Sequence, residues 1–559
     1  MEVEFNIYFM IKKDIKAEIL KASKEAGYKN QVAFSVENPP AKDLGDFSTN
    51  IALVLAGDEK KIPKEIAEKI ASRLSESRII EKASVAGAGF INIVIKNEIC
   101  YEELSKIMEE KKDYGKLDIG KGKKVSIDYI SANPTGPIHI GNARGGPIGE
   151  AIANLLAYVG YKVNREFYVN DIGLQVNRLG ESLYYWLEKK SKGDEIPFPD
   201  DGYKGEYVKD VAEAIVKKSK NKIDQFKNKE EVIEYLKKEG LDYLIDKIKK
   251  DVELLGIEFN KWVYESEIQQ SGQTKRIIDE LSKREATLKR EGAVWFKNPL
   301  DPEFKDKEAV LQKSDQGATY TYFADDIAYH MRRYDEGIDL IVDIWGSNHH
   351  GHVPRMVSAL KSLGIKEKQL KVLLYQWINI KNGGELVKMS KRMGNFVTLK
   401  QLFEGGVSPD AFKYFILAQN SNTPIDLDIK LASDKTEKNP VYYIQYAHAR
   451  ICSILRKTGE ASLGKPDLTL LKTDKELNLL KALIEWPDIV EEISNNFQIQ
   501  ALPHYAYRIA SLFHDFYTNC QVLTEDKELS SARLDLIKAT KIILNSVLKI
   551  CGISTPEKM

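Results

Sequence analysis

The 559-residue sequence predicts an α/β protein, built on a Rossmann-like parallel sheet with a helical insertion, an α+β domain before it and an all-α domain after it. Three observations carry that prediction. Val125-Ser126-Ile127-Asp128-Tyr129-Ile130 reads as a strand, apolar residues from Ile148 through Ile152 and Leu155 to Val159 fall at helical spacing before Gly160, and Lys162 to Val169 reads as a second strand. Strand, helix, strand in that order implies parallel pairing through a right-handed crossover. Residues from about 180 to 290 then break the pattern with Lys/Glu-rich helices, and from about 405 the chain reads as helical to its end. The expected boundaries are 1–117, 118–404 with the insertion at about 180–290, and 405–559.

Composition narrows the class. Hydrophobic residues at 43% and charged residues at 30% describe an ordinary globular chain and exclude a disordered one. The 83 basic and 83 acidic residues cancel, which argues against indiscriminate nucleic-acid binding but leaves room for a local basic face. Cys100, Cys452, Cys520 and Cys551 stand far apart, so neither a zinc knuckle nor a disulfide framework is expected, and a reducing cytoplasm fits. Acidic residues occupy the first positions, where a signal peptide needs basic ones, and no apolar run reaches the ~20 residues of a membrane span.

In the first domain, Ile62 to Ala71 predicts a helix begun near Pro63, and Ala86 to Ile95 a turn and a strand. Gly87-x-Gly89 lacks the third glycine and the following helix of a dinucleotide fingerprint, so it is read as a turn. Next comes the stretch around which the chain is organised, Ala132-Asn133-Pro134-Thr135-Gly136-Pro137-Ile138-His139-Ile140-Gly141-Asn142. A strand, a Pro/Gly turn and a helix start place backbone N–H groups and a positive dipole end where a phosphate can sit. His139 adds a donor, and Gly141 lets a flat base or ribose approach the backbone.

Further on, Tyr320 to Ala328 carries Tyr322 and Asp326, and Asp325-Asp326 alone would read as helix caps. Ile344 to His352 gathers His349, His350 and His352, but no acidic or cysteine ligand stands at metal spacing beside them, so no metal is expected. Lys388-Met389-Ser390-Lys391 puts two cations around a short polar segment, as departing phosphates require. Gly459 to Pro466 mimics a P-loop, yet Pro466 replaces the Mg²⁺-binding hydroxyl, and the stretch is read as a loop. Asn439 to Arg450 and Leu502 to Ala510 interleave aromatics with Arg and His, a pattern of helix core that also suits single-stranded bases.

Asn133-Pro134-Thr135-Gly136-Pro137-Ile138-His139-Ile140-Gly141 resembles the first signature of class I aminoacyl-tRNA synthetases. With Ser131-Ala132 before it, Ala143-Arg144-Gly145 after it, Tyr168 to Gly173 and Lys388 to Lys391 followed by Gly394-Asn395-Phe396-Val397-Thr398-Leu399, the chain is similar throughout to the arginyl members. The resemblance implies a tRNA-elbow-binding N-terminal domain, a class I catalytic domain and an α-helical anticodon-binding domain. It implies ligation of L-arginine to tRNA(Arg) through an arginyl-adenylate, with ATP carrying Mg²⁺, and a cytoplasmic monomer that binds neither DNA nor membrane. His139, Asn142, Lys388 and Lys391 would stabilise phosphate charge. Pro134, Thr135, Gly136, His139, Gly141, Asn142, His349, His350, Met389 and Ser390 would contact ATP. Tyr322 and Asp326 would hold the guanidinium, Glu265 and Asn133 the α-amino and carboxylate ends, with Asn348 beside them; Tyr446 and Arg450 would face tRNA. A planar guanidinium is well read by a fixed carboxylate and a ring. Two departures stand out: Asn142 replaces the second histidine of the first signature, and Lys391 stands where many arginyl members carry threonine. The alternatives are a class I synthetase for another amino acid and a catalytically inactive tRNA-binding paralogue.

Overall fold

In the computed structural model the described residues are 10–28, 32–192, 197–219, 222–297, 308–315, 319–387, 397–458 and 466–559. They form two compact units, one of Met1–Leu117, Pro440–Lys549 and Ser554–Met559, the other of Asp118–Asn439 and Ile550–Ile553.

The first unit joins the two ends of the chain. Its four-stranded antiparallel sheet runs in the order Val36–Glu37, Phe47–Thr49, Phe90–Ile95, Ile80–Ala86, and the Gly87–Gly89 turn closes the hairpin between the last two. The helix beside it, Pro63–Leu74, begins on its proline, whose missing N–H costs nothing in the first turn. The C-terminal helices pack on this domain through specific contacts. Lys481 Nζ lies 2.9 and 2.8 Å from the two oxygens of Asp46, and Tyr101 donates to the Leu471 carbonyl at 2.8 Å. Gly115, at φ +79°, lies so close to the Trp486 indole that a Cβ would come within 2.5 Å of Cδ1.

The second unit is built on a five-stranded, all-parallel sheet in the order Leu370–Tyr375, Leu340–Gly346, Lys124–Tyr129, Lys162–Val169, Lys261–Tyr264. Every residue of the central strand Val125–Tyr129 is buried, as expected with sheet on both sides and helices on both faces. The first three strands in sequence build outward one way from Lys124–Tyr129, and the last two build the other way. The order therefore reverses between Lys124–Tyr129 and Leu340–Gly346, opening a crevice beyond their carboxyl ends. Helix Gly145–Tyr158 covers the central strand and meets it at a glycine: a Cβ on Gly149 would sit 2.2 Å from Tyr129 Cγ.

Two expectations need correcting. The helices of the insertion, Leu174–Lys192, Glu206–Ser219 and Lys229–Glu253, do not separate the two halves of the sheet. They interrupt its first half, because Lys261–Tyr264 pairs in parallel with Glu166–Val169 as the third strand. Four residues, of which only Val263 is fully buried, carry too little pattern to announce a strand after a long helix. The segment between the halves holds instead a small antiparallel sheet, Thr287–Arg290, Ala293–Phe296 and Ala309–Gln312. Nor is the chain purely helical from 405, since Ile425–Asp428 pairs in parallel with Ile378–Lys381. The long terminal helices begin at Pro440.

Gly149→Ala is expected to destabilise the second unit by about 1–3 kcal/mol, since neither the Tyr129 ring nor the helix backbone has room to yield. Urea unfolding followed by tryptophan fluorescence measures it, and an unchanged midpoint would refute the close approach.

Candidate active site

The crevice is walled by the loop that leaves the central strand. Ile130 and Ser131 take φ of +68° and +32°, unfavourable for side-chain-bearing residues and worst for a β-branched one. The turn is held by Ser131 Oγ, which donates to the Asp128 carboxylate and accepts from Tyr168 N at 3.0 Å. Buried beside Asp343, Asp128 has its pKa pushed up to about 7.

His139 ends the loop as the N-cap of Ile140–Ala143, its Nδ1 accepting from Asn142 N at 3.3 Å. The ring folds back over Gly141, where a Cβ would come within 3.0 Å of it. The chain that follows residue 396 is stitched to the same place. Ile140 N donates to Val397 O at 3.2 Å, Leu399 N donates to Ile138 O at 3.4 Å, and His139 faces Thr398. Arg144 closes the back of the loop, fully buried, donating to the carbonyls of Gln376, Trp377 and Asn420 at 2.6, 3.3 and 3.1 Å. Burial pulls its pKa down to about 10, still high enough to keep it a cation.

Across the crevice lies a cluster of carboxylates. Glu265, 5% exposed, follows the strand Lys261–Tyr264 and accepts from Asn170 Nδ2 at 3.0 Å. Asp171 accepts from Ser266 N at 2.9 Å, and Asp325 from Gln269 Nε2 and Thr274 Oγ1, both at 2.7 Å. Glu265, Asp171, Asp325 and Asp326 all act on Tyr168, whose buried hydroxyl has no hydrogen-bond partner. Burial, with Asp325 and Asp171 nearby, drives the Glu265 pKa up to about 8 against the hydrogen bond from Asn170.

Asp326 behaves in the opposite way. Burial raises its pKa, but His352 Nε2 at 2.7 Å and His330 Nδ1 at 3.2 Å outweigh that and hold it well below the carboxylate range. His330 is itself lodged between Asp326 and Asp343, 2.8 Å from Asp343 Oδ2, while Arg333 donates to Asp343 Oδ1 at 2.8 Å. Burial lowers the His330 pKa, but Asp343 overrides it and raises it to about 9, so the ring is a cation at neutral pH. One group of carboxylates thus contains a permanent anion, Asp326, and one that holds its proton at neutral pH, Glu265.

The structure gathers most of the residues singled out from sequence. Asn133, Pro134, Thr135, Gly136, His139, Gly141 and Asn142 form the loop wall, with Asn133 Nδ2 donating to Gln175 at 2.8 Å. Glu265 and Asp326 share the acidic cluster. Tyr322, 64% exposed, opens the helix Tyr322–Asp335 with its ring centroid 5.7 Å from that of His352. Neither aspartate caps that helix, whose N-cap is Thr321. Asn348, His349 and His350 are exposed after the strand Leu340–Gly346, with His349 5.9 Å from the Trp345 ring. Lys388, Met389, Ser390 and Lys391 lie outside the described residues. Tyr446 and Arg450 lie in the other unit, on helix Pro440–Thr458, where Arg450 stacks over Tyr446 and Tyr517 at 5.1 Å. The supports were not read from sequence: Gln269, Thr274 and His330 were not singled out, and Tyr168, Asn170 and His352, though inside stretches that were, had not been given these roles. The i,i+4 spacing of Asp326 and His330 on one helix was the available signal.

Three family models match the chain: Arginyl tRNA synthetase N terminal domain over residues 10–95, tRNA synthetases class I (R), catalytic domain, over 103–426, and DALR anticodon binding domain over 444–559. The chain is 41% identical over 530 residues to the arginine–tRNA ligase of Shouchella clausii, covering 94% of each. It is 38% identical over 563 residues to that of Bacillus subtilis, covering 98% of each. Among solved structures, a putative arginyl-tRNA synthetase of Campylobacter jejuni superposes with a TM-score of 0.75 at 28% identity, over 83% of this chain and all of that one. The arginyl-tRNA synthetase of Thermus thermophilus has the same fold, with a TM-score of 0.77 at 22% identity over 98% of this chain and all of that one.

The Glu265 shift has a testable sign. The folded chain keeps this proton up to about pH 8, whereas the unfolded chain loses it near 4.5, so stability falls as pH rises through that window. Glu265→Gln, which keeps an acceptor for Asn170, is expected to match the wild type at pH 4.5 and to melt on the order of 2–4 °C higher at pH 8.5. Equal melting temperatures at both pH values would show that Glu265 titrates normally.

Proposed function

The chain belongs to the arginyl-tRNA synthetase family, and we propose that the crevice between the loop at Asn133–Asn142 and the carboxylates around Tyr168 is where it activates arginine. The family's reaction is the joining of L-arginine to its tRNA at the expense of ATP. The observation that carries the assignment is the cluster itself. Glu265, Asp325, Asp326 and Asp171 converge on one buried, unpartnered phenol, an arrangement that a cationic ligand with several N–H donors would complete.

Asp326 is the permanent anion of the group, oriented by two histidines, and Tyr322 stands one turn before it on the same helix; these two hold the guanidinium. Glu265 and Asn133 receive the α-ammonium and carboxylate ends, with Asn348 at the rim. Bound cation lowers the Glu265 pKa, so binding releases a proton. ATP lies along Pro134, Thr135, Gly136, Gly141, His349 and His350; Met389 and Ser390, outside the described residues, are carried as ATP contacts on the family resemblance alone.

In the first step the arginine carboxylate attacks the α-phosphate in line and pyrophosphate departs; in the second a ribose hydroxyl at the tRNA 3′ end attacks the arginyl carbonyl, losing its proton, and the acyl–phosphate bond breaks to release AMP. No protein nucleophile takes part, so the work is positioning and stabilisation of phosphate charge by His139, Asn142, Lys388 and Lys391. The pairing of Val397 and Thr398 with Ile138–Ile140 supports this reading, because it ties the chain just beyond the two lysines to the loop carrying His139. Mg²⁺ would arrive with the ATP and would offset phosphate charge there. Residues 1–117 serve as the elbow-binding domain, 118–404 as the catalytic domain and 405–559 as linker and anticodon-binding helices, where Tyr446 and Arg450 offer stacking faces beside Tyr517. On the family reading the chain works in the cytoplasm as a monomer, without DNA or membrane partners. No helix among the described residues is long and apolar enough to cross a membrane.

ATP–pyrophosphate exchange with each of the twenty amino acids, with and without tRNA, tests the reading. Exchange with arginine alone is expected. Asp326→Asn should raise the arginine KM on the order of 100-fold, the loss of a charge-assisted pair, and leave the ATP KM within about twofold. Unchanged arginine kinetics in that variant would remove Asp326 from the pocket.

A further inference from the structure

The loop proposed above to carry ATP is not held by the sheet alone. Each of the three insertion helices reaches it at a different residue. Gln175 of Leu174–Lys192 accepts from Asn133 Nδ2 at 2.8 Å, Tyr207 of Glu206–Ser219 donates its hydroxyl proton to Thr135 O at 2.7 Å, and Asp251 of Lys229–Glu253 accepts from Ile138 N at 3.3 Å. The first of these bonds is exposed, and the Tyr207 ring packs against Gly136, where a Cβ would come within 3.1 Å of the hydroxyl oxygen. Asp251 is 5% exposed, and its partner is the only N–H between Pro137 and His139, so without the carboxylate a buried donor is stranded.

We infer that the three-helix insertion is a structural part of the nucleotide site, with Tyr207 and Asp251 as positioning residues that set the Thr135–Ile138 backbone for ATP. The loop is pinned on its far side by Val397 and Thr398, so its two ends are held by two different parts of the chain. Two pieces of geometry single out positioning over mere packing. The bonds go to backbone atoms of the loop, one to a carbonyl and one to an amide, and so they fix peptide orientation. They also arrive from helices with their own apolar core, in which Val208, Val211, Leu236 and Leu244 are buried, so the insertion can hold its shape when one bond to the loop is cut.

The inference rests on the reading of Asn133–Asn142 as the ATP loop, and the experiment separates the two. Steady-state exchange kinetics and melting temperatures are compared for wild type, Tyr207→Phe, Asp251→Ala, Asp251→Asn and His139→Ala. Tyr207→Phe keeps the ring and is expected to raise the ATP KM about 3–10-fold, with the arginine KM and the melting temperature unchanged. Asp251→Ala should raise it further, on the order of 10–100-fold, and Asp251→Asn, which keeps an acceptor for Ile138 N, should return it to within about threefold of wild type. Wild-type ATP kinetics in both Tyr207→Phe and Asp251→Ala would overturn the inference, as would ATP and arginine KM rising together with a fallen melting temperature. If His139→Ala also leaves exchange intact, the loop reading itself fails; if His139→Ala abolishes exchange while the others are neutral, only the insertion's role fails.

Discussion

A parallel sheet whose connections leave the central strand in opposite directions cannot be covered evenly at that strand's carboxyl end, and this protein depends on the gap. The strands Lys124–Tyr129 and Leu340–Gly346 are neighbours in register, yet the chain turns one way after the first and the other way after the second. Two consequences follow. The loops after these strands, at 130–142 and 346–352, face each other across a crevice, and backbone groups there are not consumed by the sheet. Gly149 lets the covering helix lie directly on Tyr129 of the central strand, just behind the loop that carries His139 and Asn142. A larger residue at that contact would displace the loop that the site is made from.

Closing such a loop takes more than its own sequence. Positive φ at Ile130 and Ser131 is unfavourable, and it persists because Ser131 is held from below by Asp128 and from the side by Tyr168. Further along, Thr135 and Ile138 are held from the insertion, and Ile138 and Ile140 from the segment at Val397–Leu399. Elements far apart in sequence thus converge on ten residues. On the proposed reading this suits chemistry that the substrates' own groups perform, in which the protein's task is to hold those groups in place.

That division also decides what could be read from the sequence. The strand Lys162–Val169 and the helix after Asn142 were legible, because periodicity over many residues reports burial on a defined face. The loop was legible because Pro, Gly and His in that order serve few purposes. The strand Lys261–Tyr264 was not, being short and flanked by helices, and its omission put the insertion between the halves of the sheet instead of within the first half. Tyr207 and Asp251 were invisible for a different reason, and so was the tie of His352 to Asp326, although His352 itself stood out in the histidine cluster. Each acts on a residue distant in the chain through one side-chain atom, and nothing in local pattern distinguishes such a tyrosine or aspartate from an ordinary surface residue of an amphipathic helix. Asp326 and His330 lie between these cases, since their spacing along one helix shows that they can meet, but only the strand residue Asp343 makes His330 a cation.

The pairing of one permanent and one conditional anion has a physical rationale on the proposed reading. Several ionised carboxylates buried together would repel one another, and the empty pocket would be expensive to fold. Here Asp326 keeps its charge because His330 and His352 share it, and His330 is anchored in turn by Asp343, itself paired with Arg333. Glu265 stays neutral by keeping its proton, which removes the repulsion at the position with the least compensation. A cationic ligand reverses that balance, ionising Glu265 as it binds, so that the full attraction develops only when there is something to attract. Asp326 is fixed before the ligand arrives and so selects the shape of the group it receives, which for a planar fork of N–H donors favours guanidinium over a compact ammonium. Glu265 adds affinity without adding to the cost of the empty site.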